Sequence, residues 1–241
     1  MNSIKGEIFF AGVFVAIGLA LGGWWIGLGF EQGRQGDRYV TVKGLAERYV
    51  EADLAIWPLR FAATGNDLAA VQADIDRDTA AIRAFFRANG LPAEAVRPIR
   101  LEVIDLLAQP YRPEGAGDSR FIITQTLVVR SDEVGLVQDL TQRMGEIVRQ
   151  GVVLQETGGP AFVFTGLNAI KPEMLAEATA SARSAAAQFA ADADSTLAGI
   201  RRANQGVFQI LPRDEAAGIA EPSQVEKKVR IVTTIEYRLE D

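Results

Sequence analysis

The residues whose types and spacing could do chemistry in this sequence are carboxylates. Asp74, Asp76 and Asp78 alternate as they do at the start of a calcium-binding loop, which holds the ion through oxygen ligands. That loop also needs a glycine and a glutamate further on, and here Thr79 and Phe85 occupy those positions. We therefore interpret the three aspartates as a solvated helix face.

A pair of carboxylates is the remaining way to carry out acid–base catalysis. The chain has 31 Asp and Glu residues, and any two could meet in the fold as general acid and base. Asp105 is the candidate to inspect first, because it stands alone among Val103, Ile104, Leu106 and Leu107. The interpretation we prefer is that Asp105 faces outward from a strand or pairs with an arginine.

Other common catalytic groups are missing from the sequence. The chain has no histidine, the commonest metal ligand and usual general base, and no cysteine, which excludes disulfides and thiolate chemistry. It also has no phosphate-binding glycine loop, no Gly-x-Ser-x-Gly elbow and no Ser-x-x-Lys dyad. The net charge is -6, with no basic block to attract nucleic acid. We predict no catalytic residue, no metal, no cofactor and no nucleic-acid partner.

An uncharged run of 23 residues, from Ile8 to Phe30, is long enough to cross a bilayer as a helix. Trp24 and Trp25 stand near its far end, where indole rings favour the membrane interface. The run is too long for the apolar part of a cleaved signal peptide, so we favour an uncleaved anchor that contacts membrane lipid. Cleavage after Gly22 or Gly23 is the alternative.

Four glycines of this run form two pairs with the spacing of a helix dimerisation motif. Gly18 pairs with Gly22, and Gly23 pairs with Gly27, so two helix faces would allow close backbone approach. The competing interpretation is that glycine is simply common in membrane helices.

The charges that flank the run do not fix its orientation. Lys5 precedes it, whereas Arg34, Arg38 and Lys43 follow it, which taken literally would place the large domain in the cytoplasm. We divide the chain into a tail and anchor (1–30), a polar linker (31–38) and one large domain (39–241).

The large domain is predicted to be α+β, with an antiparallel sheet covered by helices. From Asp53 to Thr165 the order is strand, helix, strand, strand, helix, strand, which is the ferredoxin-like order. An extra helix and a β-pair follow it. The predicted strands cover 39–51, 53–64, 97–107, 120–130, 161–165, 206–211 and 227–239. Asn66 and Ser131 are predicted to cap the first and second helices. The third helix is predicted to run from Pro172 to about Leu197.

The third helix is rich in alanine, which gives it a slim surface that can pack closely against a neighbour. We expect that neighbour to be the domain's own sheet, since an amphipathic helix in a single domain usually covers its own core. The alternative is a second subunit. Trp57 is likewise expected in the core, on one strand face with Ala55, Leu59 and Phe61.

The segment from Tyr39 to Phe61 (YVTVKGLAERYVEADLAIWPLRF) resembles the opening of the SIMPL domain family, also called DUF541. Pro110 and Tyr111 at the tip of the predicted hairpin, the Val/Leu-rich strand before Ser131, and the alanine-rich helix before a final β-pair are similar to that family too. The resemblance covers essentially residues 39–241.

The resemblance implies a bacterial envelope protein exported through an N-terminal hydrophobic segment. It also implies a mixed α/β domain that tends to form homo-oligomers, a loose association with envelope or oxidative stress, and no established enzyme activity. These implications place the large domain in the periplasm of a single-pass inner-membrane protein.

Three functions follow as hypotheses. The first is a self-associating scaffold, the second is a binding module for a small envelope ligand or partner protein, and the third is a carboxylate-dependent hydrolase. A deep, partly apolar pocket with a few converging polar groups would favour the second. The missing histidine, cysteine and serine motifs place the third last.

Overall fold

The computed structural model describes residues 12, 16–27, 38–109, 119–155 and 158–240. Its helices and strands alternate along the chain in a mixed α+β arrangement, as predicted. In chain order they are α1 (residues 16–27), β1 (Tyr39–Glu51), β2 (Leu54–Gly65), α2 (Leu68–Ala88), β3 (Val96–Asp105), β4 (Phe121–Ser131), α3 (Val134–Gln142), α4 (Gly145–Arg149), β5 (Leu154–Gln155), β6 (Ala161–Val163), α5 (Leu167–Asp192), β7 (Thr196–Gln205), β8 (Gln209–Pro212) and β9 (Glu226–Glu240).

The predicted membrane-spanning run, residues 8–30, lies partly outside the described residues, which include only residue 12 and α1 from it. Among the residues that are described, no helix is both long enough and apolar enough to cross a membrane. The anchor is thus a prediction from the sequence alone.

The strands form two sheets. The first has the order β3-β4-β2-β5, with β6 also paired to β2, and all of its pairings are antiparallel. The second has the order β1-β9-β7, and β8 also pairs with β9; β7 and β8 are both antiparallel to β9. In the first sheet β2 and β4 pair from Ala55 opposite Ser131 to Gly65 opposite Phe121.

The chain separates into two compact units, one of which comprises Glu47–Pro172 and Gln209–Arg230. Within it β2, α2, β3 and β4 follow the predicted order. The second predicted helix is divided into α3 and α4, and the short strand β5, which was not predicted, precedes β6.

The core of this unit forms where α2 and α3 cover one face of the first sheet. Trp57 and Phe61 are buried as predicted, because every second residue of β2 points to that face. The rings of Trp57 and Phe86 meet edge to face, with centroids 5.9 Å apart. Burying each such side chain stabilises the fold by about 1.5–3 kcal/mol.

The described residues of the other unit fall within Met1–Ala46, Glu173–Phe208 and Ile231–Asp241. Here α5 buries one residue in every fourth position, in a stripe that lies against the sheet of the same unit. The stripe consists of Met174, Ala178, Ala182, Ala186 and Ala190. The expectation that the alanine-rich helix covers the domain's own sheet is therefore confirmed.

Gly44 on β1 explains how closely this helix approaches. A Cβ at position 44 would overlap the carbonyl oxygen of Ala178 and would lie 2.7 Å from the amide nitrogen of Ala182. Because glycine faces alanine here, strand and helix backbones come nearly into contact.

Both predicted helix caps are wrong by one or more residues. Asp67, not Asn66, caps α2, because its Oδ1 accepts a hydrogen bond from Ala70 N at 2.9 Å, while Asn66 Oδ1 accepts one from Arg120 N. Ser131 is the last residue of β4, where its hydroxyl accepts a hydrogen bond from Glu133 N, and α3 begins only at Val134.

The C-terminal elements also differ from the prediction. Helix α5 begins at Leu167 and contains Pro172 in its interior, and it ends at Asp192, beyond which Asp194 adopts a left-handed φ of 51°. Strand β7 follows at once, where the sequence predicts the end of a helix and a loop. Its charged and polar residues, such as Arg201 and Arg202, give little strand signal, and its pairing with β9 determines the conformation.

Candidate functional site

Asp105, the candidate carboxylate, is bound by an arginine. Arg120 Nη2 lies 2.9 Å from Asp105 Oδ2, and Arg120 Nε lies 3.2 and 3.3 Å from the two carboxylate oxygens. The amide of Leu107 also donates to Oδ1 at 3.0 Å. The hydrogen bonds from Arg120 lower the pKa of Asp105, so the carboxylate is held ionised. The preferred interpretation, an arginine partner on a strand, is confirmed.

The three aspartates of α2 do not form a metal site. Asp74 pairs with Arg77 at 2.7 Å, and Asp76 accepts a hydrogen bond from Gln72, so these two lie on the solvated face as predicted. Asp78 is not on the solvated face, and that part of the prediction is wrong. It lies on the buried stripe of the helix, and its carboxylate is 3.3 Å from the guanidinium of Arg77. Within the part of the chain that is described, no three His, Cys, Asp or Glu side chains are placed to hold a metal ion.

An open cleft of about 770 Å³ lies at one end of the first sheet, beside the start of β3 and the end of β4. Leu54, Ile99 and Val128 supply apolar surface, and the charged lining has both signs: Arg97 and Arg130 are positive, and Glu94, Asp132 and Glu133 are negative. This is the mixed lining that small-molecule sites show, although the cleft is open to solvent rather than deep.

A second candidate surface is the free side of β3, which we call the β3 edge and define as residues 99–103. β3 ends the strand order of the first sheet, so among the described strands only β4 pairs with it. Ile99, Leu101 and Val103 are 63, 51 and 50% exposed, and they alternate with Arg100 and Glu102. An exposed edge strand with apolar side chains is a ready template for pairing with another strand.

The glycines predicted to pack in the membrane lie on α1. A Cβ added to Gly18, Gly22, Gly23 or Gly27 would meet no atom within 4 Å, and Trp24 and Trp25 are largely exposed. Among the described residues nothing lies against these positions, and their packing against a second copy stays a prediction.

Sequence reasoning missed the β3 edge, although a signal for it was present. Leu101 and Val103 alternate with Arg100 and Glu102, and this alternation indicates a strand with one apolar face. In the ferredoxin-like order the third strand pairs with the first, which leaves the second strand at the outside of the sheet. The second strand of that order is β3.

Comparison with known proteins identifies the family of this chain. Among the described residues the chain is a mixed α+β fold with antiparallel sheets and several helices. Residues 40–237 match the model of the SIMPL family, described as a protein of unknown function (DUF541), and the chain belongs to that family. A search of curated proteins found none that matches the chain.

Proposed function

We propose that this chain is a membrane-anchored SIMPL-domain protein that works in the bacterial envelope by associating with copies of itself. The observation that carries the proposal is the β3 edge. Leu101 and Val103 are half exposed on an outer strand whose free side offers backbone hydrogen-bonding groups. Pairing with another strand would bury the apolar side chains and satisfy those groups at once.

The anchor supports the same proposal from the sequence. Residues 8–30 carry no charge, and Gly18 and Gly22 have the spacing that lets membrane helices approach one another. If the domains associate, anchors in one membrane are brought together as well. We place the large domain in the periplasm because of the family resemblance, and a role in envelope or oxidative stress rests on that resemblance too.

We propose no catalytic reaction for this protein. Asp105, the carboxylate that sequence reasoning singled out, is bound to Arg120 and to the amide of Leu107, so its oxygens already have donors. A general acid needs a raised pKa near the working pH, and Arg120 lowers the pKa of this group instead. These observations favour a structural role for it.

The test is the mass of the full-length protein in detergent, measured by native mass spectrometry or mass photometry at micromolar concentration. We expect a discrete homo-oligomer. A strictly monomeric species over that range would overturn the proposal.

The cleft supports a second candidate function, that of a binding module for a small envelope ligand. Its lining combines apolar side chains with charges of both signs, from Arg97 and Arg130 and from Glu94, Asp132 and Glu133, which suits a small molecule with both apolar and polar groups. Native mass spectrometry of protein purified from membranes would show a bound molecule of fixed mass, lost in Arg130→Glu. Equal, unliganded masses for the wild type and the variant would count against this function.

A further inference from the structure

We propose that the β3 edge pairs with the same edge of a second copy, antiparallel and centred on Leu101. This inference rests on the proposed self-association and names its surface and register. The product would be a continuous sheet in which the first sheets of two subunits join through their β3 strands.

Symmetry limits the possible registers. When a strand pairs antiparallel with its own copy, facing residues are equally distant from a central residue, and facing side chains lie on the same side of the sheet. A register is therefore named by its central residue, and the β3 edge offers Arg100, Leu101 and Glu102 as adjacent choices.

Charge selects among these registers. With Leu101 at the centre, Arg100 faces the partner subunit's Glu102, and symmetry repeats that opposite-charge pair. With Arg100 at the centre, two arginines face each other; with Glu102 at the centre, two glutamates do. Like charges directly opposite destabilise a strand pair, whereas opposite charges stabilise it.

The apolar side chains agree with the same register. Leu101 meets the partner's Leu101 on the face of the sheet that Val103 shares, whereas Ile99 lies at the shift in register between Pro98 and Arg100 and has no opposite residue on β4. Leu101 and Val103 are each about half exposed in the single chain, so pairing would remove apolar surface from water on both subunits.

Two features of β3 limit the ladder to this short segment. Pro98 has no amide hydrogen, and the pairing of β3 with β4 shifts between Pro98 and Arg100, so the regular ladder begins at Arg100. Glu102 already lies 3.4 Å from Arg60 in the same chain. Both side chains are well exposed, so that ion pair is weak. The second carboxylate oxygen of Glu102 can accept a hydrogen bond from the partner subunit.

The absence of cysteine from the chain permits a clean crosslinking test. In full-length protein in membranes, Leu101→Cys should form an intermolecular disulfide on mild oxidation, because directly opposite Cβ atoms are about 4.5–5.5 Å apart. Leu107→Cys is the matched control, since Leu107 is an exposed leucine of the same hairpin but lies far from the proposed axis.

Charge exchange provides a second measurement. Arg100→Glu and Glu102→Arg should each weaken association roughly tenfold, since two opposite-charge pairs become like-charge pairs. The double variant R100E/E102R should restore association, and so should a mixture of the two single variants.

The outcomes separate this inference from the proposed function. A self-associating protein in which Leu101→Cys crosslinks no better than Leu107→Cys, or in which the double variant fails to restore association, overturns the β3 register and leaves self-association standing. A monomeric wild type overturns both. Preferential crosslinking with charge rescue supports both.

Discussion

Asp105 on β3 and Arg120 beside β4 form a two-point ion pair, with Arg120 Nη2 2.9 Å from Asp105 Oδ2 and Arg120 Nε 3.2 Å from Oδ1. The pair connects the two strands at the end of their pairing, where Asp105 lies opposite Phe121. It also converts the most conspicuous carboxylate of the sequence into a structural group, because a guanidinium bound in this way stabilises the ionised form.

The first prediction concerns the pKa of Asp105. Replacing Arg120 with alanine removes the largest cause of the lowered pKa, so the pKa of Asp105 should rise towards its ordinary value. An NMR titration of the side-chain carboxyl carbons would show this, with Asp105→Asn identifying the resonance. An unchanged titration in Arg120→Ala would contradict it.

The same pair makes a contribution to stability with a definite sign. Because the folded pKa of Asp105 lies below the unfolded one, the contribution is complete above the unfolded pKa, about 3.9, and is lost as the pH falls through the folded pKa. Wild type should therefore unfold at a higher temperature than Asp105→Asn near neutral pH. In acid the difference should disappear.

Much of the fold could be predicted from local patterns. Strand β1 matches its predicted bounds, and Trp57 and Phe61 are buried, because alternation of apolar residues fixes which strand face is inside. Strand β7 could not be predicted, since its residues gain strand conformation from pairing with β9 rather than from their own preferences.

The candidate site was predicted less well, for a related reason. Asp78 appeared to belong to a solvated acidic series, yet the helical period places it on the stripe of Val71, Ile75 and Ile82. The β3 edge depends on which strand is outermost, and that is a property of the whole sheet.

The second prediction tests the close approach of β1 and α5. Gly44→Ala should destabilise the protein by about 1–3 kcal/mol, because the added methyl would overlap the carbonyl oxygen of Ala178. Gly135→Ala is the control: it lies in α3 with open space around it, and alanine there should be neutral or stabilising by up to about 1 kcal/mol. Urea unfolding of both variants measures the difference, and equal effects would contradict it.

The third prediction concerns Lys227, whose side chain is fully buried. Its Nζ lies 2.6 Å from Glu221 Oε1 and 2.6 Å from the Glu221 carbonyl oxygen, while the Glu221 side chain is partly exposed. Glu221→Gln should therefore destabilise more than Lys227→Met, because the first leaves a buried charge without its counter-ion and the second leaves a carboxylate that water can reach.

A neighbouring pair supplies the control for that comparison. Glu215 lies 3.7 Å from Lys228 Nζ and is mostly exposed, so Glu215→Gln should change the free energy of unfolding by less than about 1 kcal/mol. The expected order of destabilisation is Glu221→Gln, then Lys227→Met, then Glu215→Gln. Reversal of the first two would mean that Lys227 is stabilised mainly by its carbonyl contact.

The fourth prediction tests the membrane anchor by deleting residues 1–37. Arg38 should be kept, because its carbonyl oxygen accepts a hydrogen bond from Leu239 N and its guanidinium contacts Ser195. If residues 8–30 are the only attachment, the deletion variant should move from the membrane pellet to the soluble fraction, while the full chain should resist extraction with alkaline carbonate.

The deletion leaves Trp57 as the sole tryptophan, and since Trp57 is buried, blue-shifted emission would show that the released domain is folded. A folded variant that still sediments with membranes would place a second attachment within the domain itself.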